Sequence, residues 1–554
     1  MTLNRRELLK RSGWLCTLTT AACADDDKGS RPEPDAIVPD DLPQYEFTGT
    51  PGSDSLFQHG VASGDPLTDA VVIWTRVTSG DSAPVTVWYE VARDPDFVSR
   101  LSVGEFVTDD AMDFTVKLDV VDLDPGRAYY YRFATAGQWS SVGRLRTAPE
   151  GEVDRLRFGV VSCSNYQSGY FHSYRVLARD PSLQAIIHLG DYIYEYPAGT
   201  YGSERRHEPE NEIITLSDYR QRYAQYRRDP DLAEVHRQHP FIVAWDDHES
   251  ANNSWSGGAQ NHNEGEGEWS DRIAAARQAY LEWMPIREFE GGRIYRAFTF
   301  GNLVDLIMLD TRIEGRDEEA ATTDRETHLD PDRSLLGDAQ HAWLATNLRE
   351  ASAQWKLLGQ QVMFSQLKLV NVPIAEGPGQ ILNADGWDGY EASRNLVLDQ
   401  LRDEAINDVV VLTGDIHTSW VFDITKDAAN PDAYNPETGD GSLGVEFVCT
   451  ATTSPGLDIS ALGDRVDAII KPPNPNLKYV NVEKRGYLVL DITAERTHGT
   501  IWLFEDIDKP EDIAPFIGAT YETTAGSNRA RIAGAVDAPD SSPAAAPPAT
   551  SIES

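Results

Sequence analysis

The chain is 554 residues long, 40% of its residues are hydrophobic, and its formal net charge is −40 at pH 7. This length exceeds one ordinary hydrophobic core, so two or more domains are expected. So negative a surface repels polyanions, which argues against nucleic acids and anionic membranes as partners. The hydrophobic content and the 13 tryptophans exclude a largely disordered chain.

The first 23 residues have the layout of an export signal. The stretch NRRELLKRSGWLCTLTTAAC contains the pair Arg5 and Arg6, which points to the twin-arginine export machinery. It ends in TAAC, which resembles a lipoprotein box with Cys23 as the acylated residue, and the alternative is ordinary cleavage near Ala22. Both interpretations predict an exported protein that is periplasmic, secreted or at the cell surface. The first adds a lipid anchor.

Composition divides the rest of the chain into four segments. Residues 24–50 are rich in Asp, Pro, Gly and Ser and are predicted to be a flexible linker. Short strands over 51–150 predict a small immunoglobulin- or fibronectin-like β-sandwich, and strands alternating with helices over 151–505 predict a larger α/β domain. Residues 506–554 are predicted to end in a disordered tail, because their last part is low in complexity.

Polar side chains follow five of the predicted α/β strands. Because ligands of open α/β sheets bind outside the carboxyl ends of the strands, these side chains are expected to meet in one site. The residues are Cys163; Asp191 and Tyr194; Asp246, Asp247, His248, Asn252 and Asn253; Asp310 and Arg312; and Asp415 and His417.

This set of side chains is typical of metal coordination. Carboxylates can bridge two ions, while amide and imidazole groups fill the remaining positions. The thiol of Cys163 and the phenol of Tyr194 favour a trivalent ion such as Fe³⁺, whereas oxygen ligands suit Ca²⁺, Mn²⁺ or Mg²⁺. In WDDHE, residues 245–249, three acids beside one histidine repel one another unless a cation is present. Taken alone, each residue also has a structural interpretation, such as a helix cap for Asp191.

The folded part of the chain has two cysteines, Cys163 and Cys449. An oxidising compartment allows a disulfide between them, but their contexts suggest separate roles. Cys449 lies in the alternating stretch GVEFVCTATT and is predicted to be a core residue.

Seven motifs resemble those of the PhoD-type alkaline phosphatases, within the calcineurin-like metallophosphoesterase superfamily. They are FQHGVASGDPLTDAVVIWTRV, SCSNYQSGYF, HLGDYIYEY, WDDHESANN, LDTR, DGWDGY and LTGDIHTSW. The resemblance implies a four-layer αββα metallophosphoesterase domain preceded by the β-sandwich. It also implies an alkaline phosphatase that hydrolyses phosphate monoesters and diesters outside the cytoplasm, with an iron and calcium centre.

The resemblance further implies a ligand set in this chain. The ligands would be Cys163, Asp191, Tyr194, Asp247, Asn252, Asn253, Asp415 and His417. Cys163, Asp191 and Tyr194 would hold Fe³⁺, and Asp191 would bridge to Ca²⁺, with Mn²⁺, Zn²⁺ or Mg²⁺ as alternatives. Asp247 stands where the superfamily has a ligand asparagine, so Asn252 or Asn253 would supply the amide instead.

The expected reaction is in-line attack of a metal-bound hydroxide on phosphorus. His248 is the candidate that protonates the leaving oxygen or steadies the phosphoryl group, because neighbouring acids favour its charged form. Arg312 is the candidate phosphate clamp, with a structural pair to Asp310 as the alternative. Trp387 and Tyr390 either line the leaving-group side or pack in the core.

Two rival functions stay open at this point. A phosphodiesterase, or a phospholipase D-like enzyme for lipid head groups or wall polymers, would carry the same metal motifs and differ in loops 196–240 and 313–335. A non-enzymatic surface lipoprotein would bind glycans or protein through residues 50–150 and show no metal-dependent hydrolysis. The expected partners are phosphate-ester substrates, the twin-arginine machinery and, through a lipid on Cys23, a membrane. The protein is expected to be a monomer.

Overall fold

The computed structural model describes residues 37–377, 379–456 and 465–548. The predicted export signal, with Arg5, Arg6 and Cys23, lies outside these residues. None of the described helices is both long enough and apolar enough to cross a membrane.

The described residues form 26 strands. In chain order they are β1 (Val61–Gly64), β2 (Val71–Arg76), β3 (Val85–Ala92), β4 (Arg100–Thr108), β5 (Thr115–Val120), β6 (Ala128–Thr135), β7 (Gln138–Trp139), β8 (Gly143–Arg146), β9 (Arg155–Val161), β10 (Ala185–His188), β11 (Pro240–Val243), β12 (Ser254–Trp255), β13 (Gly258–Ala259), β14 (Arg296–Phe300), β15 (Val304–Met308), β16 (Trp355–Gly359), β17 (Lys368–Val370), β18 (Gln380–Ile381), β19 (Val409–Thr413), β20 (Ser419–Ile424), β21 (Gly444–Val448), β22 (Leu477–Asn481), β23 (Arg485–Thr493), β24 (Arg496–Phe504), β25 (Phe516–Thr524) and β26 (Arg531–Ile532).

Eight α-helices lie between them in the described part of the chain. They are α1 (His172–Ala178), α2 (Leu216–Arg227), α3 (Pro230–Gln238), α4 (Trp269–Trp283), α5 (Arg325–His328), α6 (Gly337–Glu350), α7 (Glu391–Asp403) and α8 (Val466–Ile470). The start of α2 is fixed by a capping box between Thr215 and Asp218. Helix α4 begins at Trp269 behind Glu268 and has no side-chain cap bond.

Two large sheets build the α/β part. The ten-stranded sheet has the order β26-β25-β24-β23-β9-β10-β11-β1-β2-β5, and the seven-stranded sheet has the order β14-β15-β16-β19-β21-β20-β22. Their facing sides share one apolar core, in which the rings of Phe158 and Phe300 lie 5.1 Å apart. Helices α1 and α3 pack on the first sheet, and α6 and α7 share a second core with the outer side of the other. This confirms the predicted αββα arrangement.

The all-β N-terminal region is joined to the larger domain through a sheet. Strands β3, β4, β6, β7 and β8 form a five-stranded sheet that packs over β1, β2 and β5. However, β1 also pairs in parallel with β11, with Ser63 opposite Pro240. One half of the predicted sandwich is therefore an extension of the ten-stranded sheet. The indole of Trp74 adds a hydrogen bond of 2.8 Å to the carbonyl of Glu282 at the end of α4.

We therefore expect residues 51–150 alone not to form a stable domain. Without β11, strand β1 has an open edge, and Trp74, fully buried in the whole protein, loses the cover of α4. Thermal unfolding followed by circular dichroism should show no cooperative transition for this fragment, in contrast to the protein starting at residue 37. A sharp transition in the fragment would contradict this expectation.

Described residues of the predicted linker and of the predicted disordered tail contact the rest of the protein. Within the predicted flexible linker, Asp40 forms an ion pair of 2.7 Å with Arg100, whose side chain is buried. The C-terminal segment contributes β25 and β26 to the ten-stranded sheet. In the predicted disordered tail, the carbonyl of Ala544 accepts a hydrogen bond of 2.9 Å from the Tyr130 hydroxyl. Composition was misleading here because backbone hydrogen bonds, rather than apolar side chains, attach this segment.

Candidate metal centre

The parallel strands of both sheets end at one rim. Strands β9, β10 and β11 run parallel, as do β15, β16, β19 and β21. Two glycines let the connecting loops approach each other. A Cβ on Gly190 would lie 2.5 Å from the Cβ of Asp246, and one on Gly414 would lie 2.9 Å from the Cβ of Ser162. The two Gly-Asp pairs, at 190–191 and 414–415, thus bring their aspartates together.

Five predicted ligands have a left-handed backbone. Their φ angles lie between 49° and 62°, and the residues are Cys163, Asp191, Asn253, Asp415 and His417. Such conformations are unfavourable for residues with a side chain and persist where surrounding structure enforces them, as at functional sites. Cys163, for example, is held by a backbone hydrogen bond of 3.1 Å to the carbonyl of Gly190.

The structure brings five of the eight predicted ligands, together with Asp246 and His248, into three overlapping groups. In each group, one ligand atom from every member lies within 4.8 Å of the others. The groups are Cys163, Asp191 and His417; Asp191, Asp247 and His248; and Asp246, Asp247 and Asp415. Asp191 and Asp247 each belong to two groups, so their carboxylates are placed to bridge neighbouring ions.

The Tyr194 hydroxyl joins the first of these groups. It donates a hydrogen bond of 2.8 Å to Oδ2 of Asp191 and lies 3.2 Å from Nε2 of His417. Burial raises the pKa of Tyr194 well above its usual value, and nearby Asp191 adds to this effect. Burial likewise raises the pKa of the Cys163 thiol. Both groups would need a strong cation to become anions.

Asn252 and Asn253 both lie beside the second group. The backbone N–H of Asn253 donates to Oδ2 of Asp247 at 2.6 Å, and the backbone N–H of Asn252 donates to Oε1 of Glu195 at 2.8 Å. The side-chain amide of Asn253 donates to Glu319, and that of Asn252 donates to Gln260. Each side chain could turn its oxygen towards the centre, so the choice between them stays open.

His248 is held by Glu195 from one side. Its Nδ1 lies 2.6 Å from Oε2 of Glu195, so Nε2 is the nitrogen left to face a substrate or metal. Its ring lies against that of Tyr194, with centroids 4.2 Å apart. Burial opposes the charged imidazole, but Glu195, Asp247 and Asp191 outweigh burial and raise the pKa of His248 well above its usual value.

Arg312 is fully buried and bonded to three carboxylates. Its guanidinium donates to Asp246, to Asp385 at 2.7 Å and to Asp415 at 2.7 Å. The alternative pair with Asp310 is wrong, since Oδ1 of Asp310 instead accepts the backbone N–H of Arg312 at 2.9 Å. Arg312 therefore fixes the acidic wall of the centre.

Comparison with known proteins identifies this arrangement. The PhoD-like phosphatase family model matches residues 158–501, and the model of the family's N-terminal domain matches residues 45–149. The chain belongs to the PhoD-like phosphatase family. Like other members, it is a phosphoric ester hydrolase, which confirms the predicted family and enzyme class.

Two relatives of this PhoD-like phosphatase are similar over most of their length. Alkaline phosphatase D of Bacillus subtilis (strain 168) is 38% identical over 472 residues, which is 81% of this chain and 78% of the relative. A solved structure of PhoD matches with a TM-score of 0.79 at 33% identity, over 89% of this chain and 94% of that one.

Several residues of the PhoD-like site were missed by sequence reasoning. Glu249 accepts backbone N–H bonds from Asp191, Tyr192 and Asp246, and so fastens the loops after β10 and β11 to each other. Ser454 donates a hydrogen bond of 2.6 Å to the Tyr194 hydroxyl. Glu249 and Asp385 stood inside quoted motifs, but Ser454 gave no signal, because its loop meets the site only in three dimensions.

Three other predicted residues lie in the core of the PhoD-like phosphatase. Trp387 and Tyr390 are fully buried beneath α6 and α7, which confirms the packing alternative for both. Cys449 is buried in the core between the sheets, as predicted. Cys449 and Cys163 are both free thiols.

Proposed function

We propose that this protein is an exported, metal-dependent alkaline phosphatase that hydrolyses phosphate monoesters and diesters. The observation that carries the proposal is the chain of three ligand groups joined by Asp191 and Asp247. Shared carboxylates are what adjacent ions in a hydrolytic centre require.

The donor atoms fit the proposed iron and calcium ions. The group of Cys163, Asp191 and His417, with the Tyr194 phenol beside it, offers a thiolate and a phenolate, strongly donating anionic ligands suited to Fe³⁺. The group of Asp246, Asp247 and Asp415 offers only carboxylate oxygens, which suit Ca²⁺. An oxygen of Asp191 lies within 4.8 Å of one of Asp247, so Asp191 would bridge from the iron to this calcium. Oδ2 of Asp246 is buried without a hydrogen-bond partner among the described residues, as expected of an oxygen reserved for a cation.

The protein's own residues would orient the reaction. Bound ions would supply Lewis-acid chemistry, which acidifies water and neutralises charge on phosphoryl oxygens. His248, kept charged by Glu195, would hold a proton at Nε2 next to the centre and donate it to the leaving oxygen. Arg312 would keep the carboxylates of Asp246 and Asp415 apart and aligned.

Export belongs to the same proposal. It is supported by the arginine pair Arg5 and Arg6 and by the TAAC sequence at Cys23. A carboxylate-rich chain with net charge −40 suits a compartment in which calcium is abundant.

The test is metal content and visible absorption of the protein lacking residues 1–23, compared with Tyr194→Phe. We expect iron together with a violet phenolate-to-iron band, and we expect the band to vanish in Tyr194→Phe. Because one iron ligand is lost, activity on a chromogenic phosphate monoester should fall at least about tenfold, in the range seen when groups around a metal are removed.

Tyr130→Phe is the matched control for this test. Tyr130 is also buried, but its hydroxyl bonds Ala544 far from the centre, so its removal should leave band and activity unchanged. A colourless, active enzyme containing only zinc or manganese would refute the role of Tyr194. Absence of any bound metal and of any hydrolysis, with each ion supplied, would refute the proposed function.

A further inference from the structure

A cavity of about 500 Å³ opens beside the candidate centre. Its wall carries two cations and four carboxylates among eleven residues, which are Ser168, Thr453, Pro455, Glu483, Lys484, Arg485, Phe504, Glu505, Asp506, Ile507 and Asp508. It is thus formed by the loops after β9 and β21, by the start of β23, and by the end of β24 with the residues that follow it. None of its lining residues has a role in the proposed function.

The cavity wall and the centre share a loop. Ser454, between the lining residues Thr453 and Pro455, donates to the Tyr194 hydroxyl at 2.6 Å. The carbonyl of Pro455 lies 2.7 Å from Nδ1 of His417. The loop that lines the cavity therefore also contacts Tyr194 and His417 at the candidate centre.

Arg485 presents a cation to this cavity, and no carboxylate of the described residues forms an ion pair with it. Among the described residues, the hydrogen-bond acceptor of its guanidinium is the carbonyl of Glu483, at 2.9 Å. Its neighbour Lys484, in contrast, is paired with Glu505. Burial lowers the pKa of Arg485, whereas Tyr201, Cys163 and Tyr194 are among the groups that raise it. A partly desolvated guanidinium of this kind is suited to bind an anion.

Arg312, in contrast, already forms ion pairs with carboxylates of the site. Arg312 was the candidate phosphate clamp, but its guanidinium is saturated by Asp246, Asp385 and Asp415. Binding phosphate with it would break buried ion pairs, at a large free-energy cost. Among the described residues, Arg485 forms no ion pair with a carboxylate, so its guanidinium can bind substrate without such a loss.

We propose that the cavity receives the leaving group of the phosphate ester and that Arg485 binds a phosphoryl oxygen at its inner end. Gly456 makes this placement feasible, since a Cβ there would lie 2.9 Å from an Arg485 nitrogen. The proposal rests on the proposed function, and it names the substrate-binding cation of that site.

The experiment is isothermal titration of inorganic phosphate into the metal-loaded enzyme and into Arg485→Ala, Arg485→Lys and Lys484→Ala. We expect Arg485→Ala to weaken phosphate binding about 10- to 100-fold, the loss typical of one hydrogen bond to a charged group. The phosphate affinity of Arg485→Lys should lie between those of the wild type and Arg485→Ala, because lysine keeps the positive charge but lacks the planar guanidinium. The KM of a chromogenic monoester should rise by a factor similar to the loss of phosphate affinity, with kcat changed less.

Lys484→Ala is the matched control, since Lys484 lines the same cavity but is paired with Glu505. The assignment of Arg485 as the phosphate-binding cation would be overturned if the wild type and Arg485→Ala bound phosphate equally well. It would also be overturned if Lys484→Ala lost as much phosphate affinity as Arg485→Ala, or if the wild type bound no phosphate. Metal content and melting temperature are measured for each variant to check that it is folded. If Arg485→Ala does not fold, the phosphate affinity of Arg485→Lys decides whether Arg485 binds phosphate. If phosphate binding depends on Arg485 but the enzyme hydrolyses no ester, the proposed function is refuted while the assignment of Arg485 as the phosphate-binding cation stands.

Discussion

Replacing Asp191 by asparagine is expected to abolish hydrolysis. Asp191 belongs to two of the three ligand groups, so the variant loses the charge on which two ions depend. Lewis-acid stabilisation contributes several kcal/mol, and about 1.4 kcal/mol changes a rate tenfold, so kcat/KM should fall at least about a thousandfold. Elemental analysis of the purified variant should show loss of both metals.

Asparagine is chosen because it tolerates a left-handed backbone, so strain at φ 56° is not the cause of the loss. Asp122→Asn is the matched control. Asp122 has the same left-handed backbone, at φ 63°, but is exposed and outside the centre. It should keep full activity and metal. Full metal content in Asp191→Asn would show that Asp191 does not bridge ions.

Replacing Arg312 by methionine is expected to cause the largest loss of stability. The change leaves Asp246, Asp385 and Asp415 without their shared cation, and burial already raises the pKa of Asp246 and Asp415 well above the usual value. Breaking a buried ion pair from one side costs about 3–5 kcal/mol of unfolding free energy. Calorimetry should show a lower melting temperature, and the decrease should be larger without metal, since bound ions replace part of the lost charge.

Arg402→Met provides the comparison for this variant. Its side chain is 53% exposed and pairs with Asp399 and Asp403 at the surface, so the change should leave the melting temperature nearly unchanged. Equal melting temperatures for Arg312→Met and the wild type would show that the carboxylates do not depend on Arg312.

Local sequence patterns predicted the strands and the residues at their ends. The apolar runs before Cys163, Asp191, Asp246 and Asp415 are β9, β10, β11 and β19, and each ends within three residues of the predicted ligand. This works because a buried parallel strand is a short apolar run and its carboxyl end faces the ligand.

Contacts between distant segments were out of reach. The pairing of β1 with β11 and the bonds from Arg312 to Asp385 join residues far apart in sequence, and no local pattern encodes them. The same holds for Arg485, which begins a strand and carries no motif. The C-terminal segment was misjudged because its backbone, rather than its composition, makes the contacts.

The position of β9 in the middle of the ten-stranded sheet has a consequence for biosynthesis. Val160 pairs with Ile187 on one side and with Leu488 on the other. A growing chain therefore keeps one edge of β9 open until nearly all of it has left the ribosome, and such an edge attracts other chains. Passage across a membrane as an extended thread would expose that edge a second time. A translocase that accepts finished proteins, as Arg5 and Arg6 predict, would avoid the second exposure.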